Sequence, residues 1–265
     1  VAGTPGNLAF LPHTLARELG FYRQNRLEVQ IDAVPGGTKA MQALLGGSAD
    51  VVVGYYDHPI RVAAQGRAVK SFVVMTRYPG NVLIVSPATK RDIRRIKDLK
   101  GAAVGVPDPG SQLHLFVNYA LSRNGLSPSD ITVVSVGDQA GGVAALEHGK
   151  IDVWSGLDPG VAQVLHRHPD ARILIDARNR QGVRKAFGSD IYPGAVLYST
   201  AAWLGNNPRI ATGLARALVQ SLDWIHQHSP EEIVAKIPLL SRVRTRRSTL
   251  KLSGGRCPCF LRMVR

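Results

Sequence analysis

Four consecutive residues, Tyr55, Tyr56, Asp57 and His58, follow the apolar run "ADVVV" and one glycine, Gly54. Two phenols, a carboxylate and an imidazole could move protons, ligate a metal, hold a ligand or only cap a strand. Other turns carry similar groups. Pro12 and His13 lie in "FLPHT" (10–14), and Gly36, Gly37 and Thr38 in "PGGTKA" (35–40). Arg77 lies in "RYPG" (77–80), Asp158 in "GLDP" (156–159), and Gly110, Ser111, Gln112 and His114 in "VPDPGSQLHLFVNYAL" (106–121).

The spacing argues against several chemistries. No H-x-x-x-H or H-E-x-x-H places two ligands on one helix face, and no G-x-S-x-G elbow occurs. Ser111 and His114 share a helix face at i and i+3, but a nucleophile also needs an oriented base and an oxyanion hole. Both cysteines, Cys257 and Cys259, sit near the C-terminus. The first 238 residues therefore offer neither a thiolate nor a Cys-based zinc site. No G-x-x-x-x-G-K-[ST] is present. Binding remains: a strand ends at Val106, Pro-Asp-Pro-Gly turns, and the free N–H groups of a new helix, at about Ser111, Gln112 and Leu113, make an anion site. A plain N-cap at Ser111 is the alternative.

The elements that must position these turns show a repeat. "ALLGGSADVVVG" (43–54) and "ALEHGKIDVWSG" (145–156) are offset by 102 residues and match at six of twelve positions, including Asp50/Asp152 and Gly54/Gly156. Each copy reads as strand, helix, strand, helix, strand. The first runs through a strand at Leu8–Leu11, a helix at Pro12–Asn25, a strand at Leu27–Val34, a helix at Thr38–Leu45 and a strand at Asp50–Val53. The second runs through "AAVGV" (102–106), a helix at Ser111–Asn124, a strand at Ile131–Val136, a helix at Ala140–His148 and a strand at Asp152–Trp154. Short apolar strands alternating with helices imply parallel sheets, which bind ligands beyond their C-terminal strand ends. A basic helical stretch follows at 90–101, strands at "ARILID" and "YPGAVLYST", and helices capped by Asn207 and Ser229. All the turns singled out above follow strands, so in this doubly wound reading they face one cleft.

At 265 residues the chain can bury two small cores or one large one. The net charge of +14 is uneven: residues 239–265 hold eight Lys/Arg and no acid, leaving 25 basic against 19 acidic residues elsewhere. A basic tail can bind nucleic acid or acidic membranes; the alternatives are a solvated tail or one translated out of frame.

"LPHTLARELGFYRQNRLEV", "GGTKAMQALLGGSADVVVG", "AAQGRAVKSFVV", "IKDLKGAAVGVPDPGS" and "ALEHGKIDVWSGLDP" together cover most of residues 6–238. They resemble the periplasmic substrate-binding proteins of ABC importers, in the nitrate/sulfonate/taurine and thiamine-pyrimidine-precursor branch. The resemblance implies a two-lobed α/β fold of the type II periplasmic-binding-protein class, each lobe a doubly wound, mostly parallel sheet, with the ligand cleft between the lobes. It implies lobe one over 1–98, lobe two over 99–192, a helical return to lobe one over 193–238 and a basic tail over 239–265.

By the same resemblance Pro12, His13, Gly36, Gly37, Thr38, Tyr55, Tyr56, Asp57, His58, Gly110, Ser111, Gln112 and Asp158 lie at or near the cleft, and His114 joins them as a contact of the same turn. Tyr55 and Tyr56 flank the apolar body of a solute, Arg77 supplies a charged contact, and Tyr192 lies by the hinge return. The implied solute is a small organic anion, a sulfonate or carboxylate, possibly aromatic. The implied partner is a membrane permease, met transiently by a monomer that binds no nucleic acid. Neither catalysis, nor a metal, nor a cofactor is expected, and the implied location is the periplasm. Two departures stand out: the secretion signal and first strand are incomplete, and the last helices give way to the basic tail. An enzyme on the same fold, such as a thiamine-pyrimidine-precursor synthase, is the alternative. That branch carries a cysteine-rich iron-binding motif, and the body of this chain has no cysteine.

Overall fold

The computed structural model describes residues 8–34, 36–137 and 139–237; the basic tail lies outside them. The chain divides into two compact units, one joining the residues up to Arg77 to those from Pro193 on, the other Tyr78–Tyr192.

The first unit opens with a tight 3-10 turn at Leu8–Phe10 that runs into α1 (Leu11–Glu18). A strand is expected at Leu8–Leu11, but Pro12, with its fixed φ, starts a helix instead. The single helix expected over 12–25 is broken at Gly20, whose left-handed φ of 74° separates α1 from α2 (Phe21–Gln24). Residues 27–34 form no ladder beyond a single bridge residue at Val34. Their apolar–polar alternation reads as a strand, yet a strand needs a neighbour to exchange hydrogen bonds with. Next come α3 (Gly37–Leu45), β1 (Val52–Tyr55), α4 (Asp57–Ala63) and β2 (Val69–Val74).

The second unit contains β3 (Val82–Val85), β4 (Ala103–Val106), α5 (Gln112–Arg123), β5 (Thr132–Ser135), α6 (Gln139–Glu147), β6 (Val153–Gly156), α7 (Gly160–Arg167), β7 (Ile173–Asp176) and α8 (Arg180–Phe187). The expected border near residue 98 is corrected to Arg77/Tyr78. The reason is β3, which pairs with β6 and β7 and so brings residues 78–98 into this unit. The basic stretch at 90–101 forms only a 3-10 turn, Ile96–Leu99. The chain then returns to the first unit through β8 (Ala195–Thr200), α9 (Ala201–Asn206), α10 (Pro208–Gln227) and α11 (Pro230–Ala235). Asn207 does not cap α10 with its side chain; its Nδ2 donates to the carbonyl of Trp203 at the end of α9. Ser229 and Glu232 form a reciprocal cap on α11.

The two sheets differ. In the second unit the strand order is β5-β4-β6-β3-β7, with β4 parallel to β5 and β6, and β3 antiparallel to β6 and β7. Its strands are buried on both faces. Leu83, Val85, Val104 and Val106 pack under Phe116, Val117 and Leu121 of α5. Val82, Ile84 and Trp154 pack on the other side with Val143, Leu146, Val161 and Val164 of α6 and α7. This explains the unbroken apolar runs of these strands. In the first unit the order is β1-β8-β2, and both described pairings are antiparallel. The parallel arrangement expected of that lobe is not what these ladders form, because the returning β8 inserts between β1 and β2. Its core joins Ala40, Met41 and Leu44 of α3 to Val52, Val62, Val69, Val196 and Tyr198. A second cluster packs Leu11 and Leu15 of α1 against Leu222 and Ile225 of α10.

The repeat is visible in each unit taken alone. The pair α3, β1 and the pair α6, β6 follow the same succession. Each helix is followed by a glycine with positive φ, 77° at Gly47 and 64° at Gly149, which reverses the chain into the strand.

Candidate functional site

In the first unit the stretch Tyr55–His58 straddles the end of β1 and the start of α4. Tyr55 is the last strand residue; it is buried and its ring meets Phe10 edge-on at a centroid distance of 5.7 Å. Tyr56 packs against the core cluster, and its N–H donates to the carbonyl of Gly194. His58 is buried, and its ring lies where a side chain on residue 37 would stand. Four of the expected site residues thus meet in one place, with Gly37 supplying space rather than a contact. Gly36 precedes α3 with φ 77°, and Thr38 is exposed on its first turn.

Asp57 is the least settled group here. Both carboxyl oxygens are buried without a hydrogen-bond partner among the described residues. Burial pushes its pKa up, against the opposing pull of His58, of its own and the His58 backbone N–H groups, and of Arg61. Those N–H groups lie close enough to favour the anion without reaching hydrogen-bond geometry. Burial likewise lowers the pKa of His58, partly offset by Asp57.

Pro12 and His13 are buried in the first turns of α1. The Nδ1 of His13 is 2.7 Å from the Tyr22 hydroxyl. Burial, foremost, and the charge of Arg17 lower its pKa to about 3, so the ring is neutral. Tyr22, itself held as a phenol by burial, donates to Nδ1, and the proton on Nε2 has no partner among the described residues. Arg77, half-buried at the end of the first unit, makes no ion pair among the described residues.

In the second unit the turn before α5 is built around His114. Gly110, at φ 81°, donates its N–H to His114 Nδ1 at 2.8 Å. Ser111 caps α5 by accepting from the His114 N–H at 3.3 Å. Its own N–H is not free as expected, since it donates to the carbonyl of Asp108 at 3.1 Å. The N–H groups of Gln112 and Leu113 have no acceptor among the described residues, which narrows the anion-binding positions to these two. Because Nδ1 accepts, His114 is neutral with its proton on Nε2, and burial lowers its pKa. Asn118 lies 3.4 Å from Nε2 while its Oδ1 lacks a partner; an amide turned to present Oδ1 satisfies both.

Asp158 is committed elsewhere. One oxygen accepts from the Ala162 N–H at 3.1 Å and the other faces Arg178 Nη1 at 3.5 Å. Gln139 braces the same turn, donating to the Asp158 carbonyl at 3.2 Å and accepting from the Gly160 N–H at 2.8 Å. Arg178 also clasps Asp176 through Nε at 2.9 Å and Nη2 at 2.7 Å. Burial raises the pKa of Asp176, but the hydrogen bonds and charge of Arg178 outweigh it and hold the carboxyl below its usual range. Sequence reasoning missed Arg178 and Gln139. The only signal was the Asp-x-Arg at the end of β7. Tyr192, the last residue of this unit, stacks on Phe187 with centroids 4.4 Å apart and planes at 14°. No group of three or more His, Cys, Asp or Glu among the described residues could hold a metal.

The sequence profile described as NMT1/THI5 like matches residues 7–233. The chain belongs to this family. Its structure is similar to that of a Bordetella bronchiseptica RB50 protein, with a TM-score of 0.84 and 34% identity over 92% of this chain and 76% of that one. It is also similar to the periplasmic aliphatic sulphonate binding protein SsuA from Escherichia coli, with a TM-score of 0.65 and 22% identity over 88% of this chain and 76% of that one. At the sequence level it is 23% identical, over 89% of this chain and 69% of the relative, to a Bacillus subtilis (strain 168) protein named "Putative binding protein YtlA". The fold of this NMT1/THI5-like chain is that of the periplasmic binding proteins.

Proposed function

We propose that this NMT1/THI5-like protein is the solute-binding component of an ABC importer. It captures a small organic anion, a sulfonate or carboxylate, outside the cytoplasm and passes it to a membrane permease without changing it. The observation that carries this reading is the family match over residues 7–233, nearly all of the described chain. The fold by itself would carry less, since one fold serves many functions. SsuA is a sulphonate binding protein, and its likeness supports an anion as the solute class. Among the described residues no helix is long and apolar enough to cross a membrane, so the permease is a separate partner in this reading.

Residue roles follow from the chemistry of each unit. The N–H groups of Gln112 and Leu113 receive the anionic group, on a turn set by Gly110, Ser111 and His114. Tyr55, Tyr56 and His58 supply ring surface and polar contacts to the rest of the solute, with Pro12, His13, Gly36, Gly37, Thr38, Arg77, Asp158 and Tyr192 as contacts or supports. A thermal-shift and titration-calorimetry screen of alkyl and aryl sulfonates, carboxylates, nitrate and pyrimidines tests the reading. One-to-one binding that leaves the compound chemically intact is the expected result. Turnover of a bound compound would sink it in favour of an enzyme, and a folded protein that binds no member of the screen would sink the anion class.

A further inference from the structure

One place in the first unit is polar, buried and incomplete. Both oxygens of Asp57 and the hydroxyl of Tyr198 are buried, and none of the three has a hydrogen-bond partner among the described residues. Tyr198, at 0% exposure, is among the most deeply buried side chains of the chain. The two groups are neighbours: burial raises the pKa of the phenol, and the charge of Asp57 raises it further.

The arrangement is built by the backbone. Tyr198 stands on β8, and its ring lies across Gly54 of β1, with the hydroxyl 3.1 Å from where a Cβ on residue 54 would be. Any larger residue there would push the phenol away. The glycine therefore lets Tyr198 lie along the end of β1, where α4 begins with Asp57. The His58 ring lies in the same way over the vacant position of Gly37. Two glycines thus each admit one polar ring beside the same carboxyl group.

Buried polar atoms are almost always hydrogen-bonded, and a buried carboxylate without a partner costs several kcal/mol, by general estimates. Three oxygens with one proton among them, when the carboxyl is ionised, need donors rather than acceptors. A sulfonate or carboxylate group cannot supply them; an ammonium or amino group can.

We propose that the solute carries, besides its anionic group, a hydrogen-bond donor of the ammonium or amino class, received by the carboxylate of Asp57 and the hydroxyl of Tyr198. This rests on the solute-binding reading above and names the chemistry of the solute's second end. The test uses the full chain and two near-isosteric pairs: aminoethanesulfonate against propanesulfonate, and para-(aminomethyl)benzoate against para-ethylbenzoate. Titration calorimetry should show the amino member of at least one pair binding about tenfold or more tighter, as expected for charge-assisted bonds. Asp57→Asn should shrink that preference to about threefold or less while the apolar partner still binds. Tyr198→Phe, checked for folding by circular dichroism, should reduce it to a smaller extent. Equal affinities within both pairs, or an amino preference that survives Asp57→Asn, would overturn the donor subsite and leave the anion-binding reading standing. If a folded protein binds none of the four compounds, both readings fall.

Discussion

A Cβ on residue 37 would stand 1.9 Å from Nε2 of His58, so glycine at one position and histidine at the other fit as a pair. Gly37→Ala should displace the imidazole and cost about 1–3 kcal/mol, the range for overpacking a filled site. His58→Ala opens the space the new methyl needs. The double variant should therefore lose less than the sum of the singles. Urea midpoints of the four proteins check this; strict additivity would separate the two residues.

Acid should weaken the fold through His13. Its folded pKa of about 3 lies well below the usual 6.5, so between these values the unfolded chain holds a proton that the folded one refuses. Stability is then lost as pH falls from about 6.5 towards 3, by up to about 1.4 kcal/mol per pH unit per group. His58 and His114, also lowered by burial, act with the same sign. Asp57 acts oppositely, because its raised pKa lets the folded state keep a proton that the unfolded one releases above 3.8. His13→Gln should flatten the decline between pH 6.5 and 4.5 by up to about one proton's worth. Denaturation midpoints across that range decide; an unchanged slope would place the acid sensitivity elsewhere.

Arg178 holds two carboxylates at the ends of β6 and β7. Its side chain is 27% exposed, so solvent screens the pair in part. Arg178→Met should cost about 1–3 kcal/mol, because Asp176 is left half-buried without its clasp. Arg178→Lys should recover only part, since a point charge cannot make the forked contact. Adding Asp176→Asn to Arg178→Met should restore some of the loss, and stability curves of the series report it.

Gly182 is a point of near contact between a helix and a strand end. A Cβ there would fall 1.5 Å from the carbonyl oxygen of Asp176, and no rotamer relieves a clash at Cβ. Gly182→Ala should open the first turn of α8, where Asn179 caps the Gly182 N–H at 2.9 Å, at a cost of about 3 kcal/mol or more. Hydrogen exchange over residues 179–188 should rise before the rest of the unit is affected.

Much of this was legible in the residues. The 102-residue echo located α6 and β6 as counterparts of α3 and β1, and Ser111 and Ser229 announced the helices they cap. Other features left no local trace. The seven residues of α4 are too few to show helical periodicity, so "YYDHP" read only as the end of a strand. Residues 27–34 carry a strand's alternation without a partner strand to make it one. The antiparallel sheet of the first unit depends on β8, some 140 residues after β1, and no window of sequence joins the two. Arg178 is one of 33 Lys and Arg residues, and only its placement between Asp158 and Asp176 gives it a role. Among the expected site residues, the turn at Gly110–His114 and the stretch Tyr55–His58 were found from pattern. The partnering of Asp158 and the isolation of Asp57 needed coordinates.

The central place of β8 bears on the order in which the protein is made. The second unit is one uninterrupted run of chain, Tyr78–Tyr192, and holds all five strands of its sheet. The first unit's sheet waits for residues 195–200 to separate β1 from β2. On a ribosome the inner unit can complete itself while the outer one, with its N-terminal half already synthesised, still lacks the strand that joins it. Contacts of such long sequence separation form slowly. During that interval the facing edges of β1 and β2 stand unpaired, the condition that favours aggregation. Holding those edges apart until β8 arrives is a task that a chaperone, rather than the sequence alone, is suited to perform.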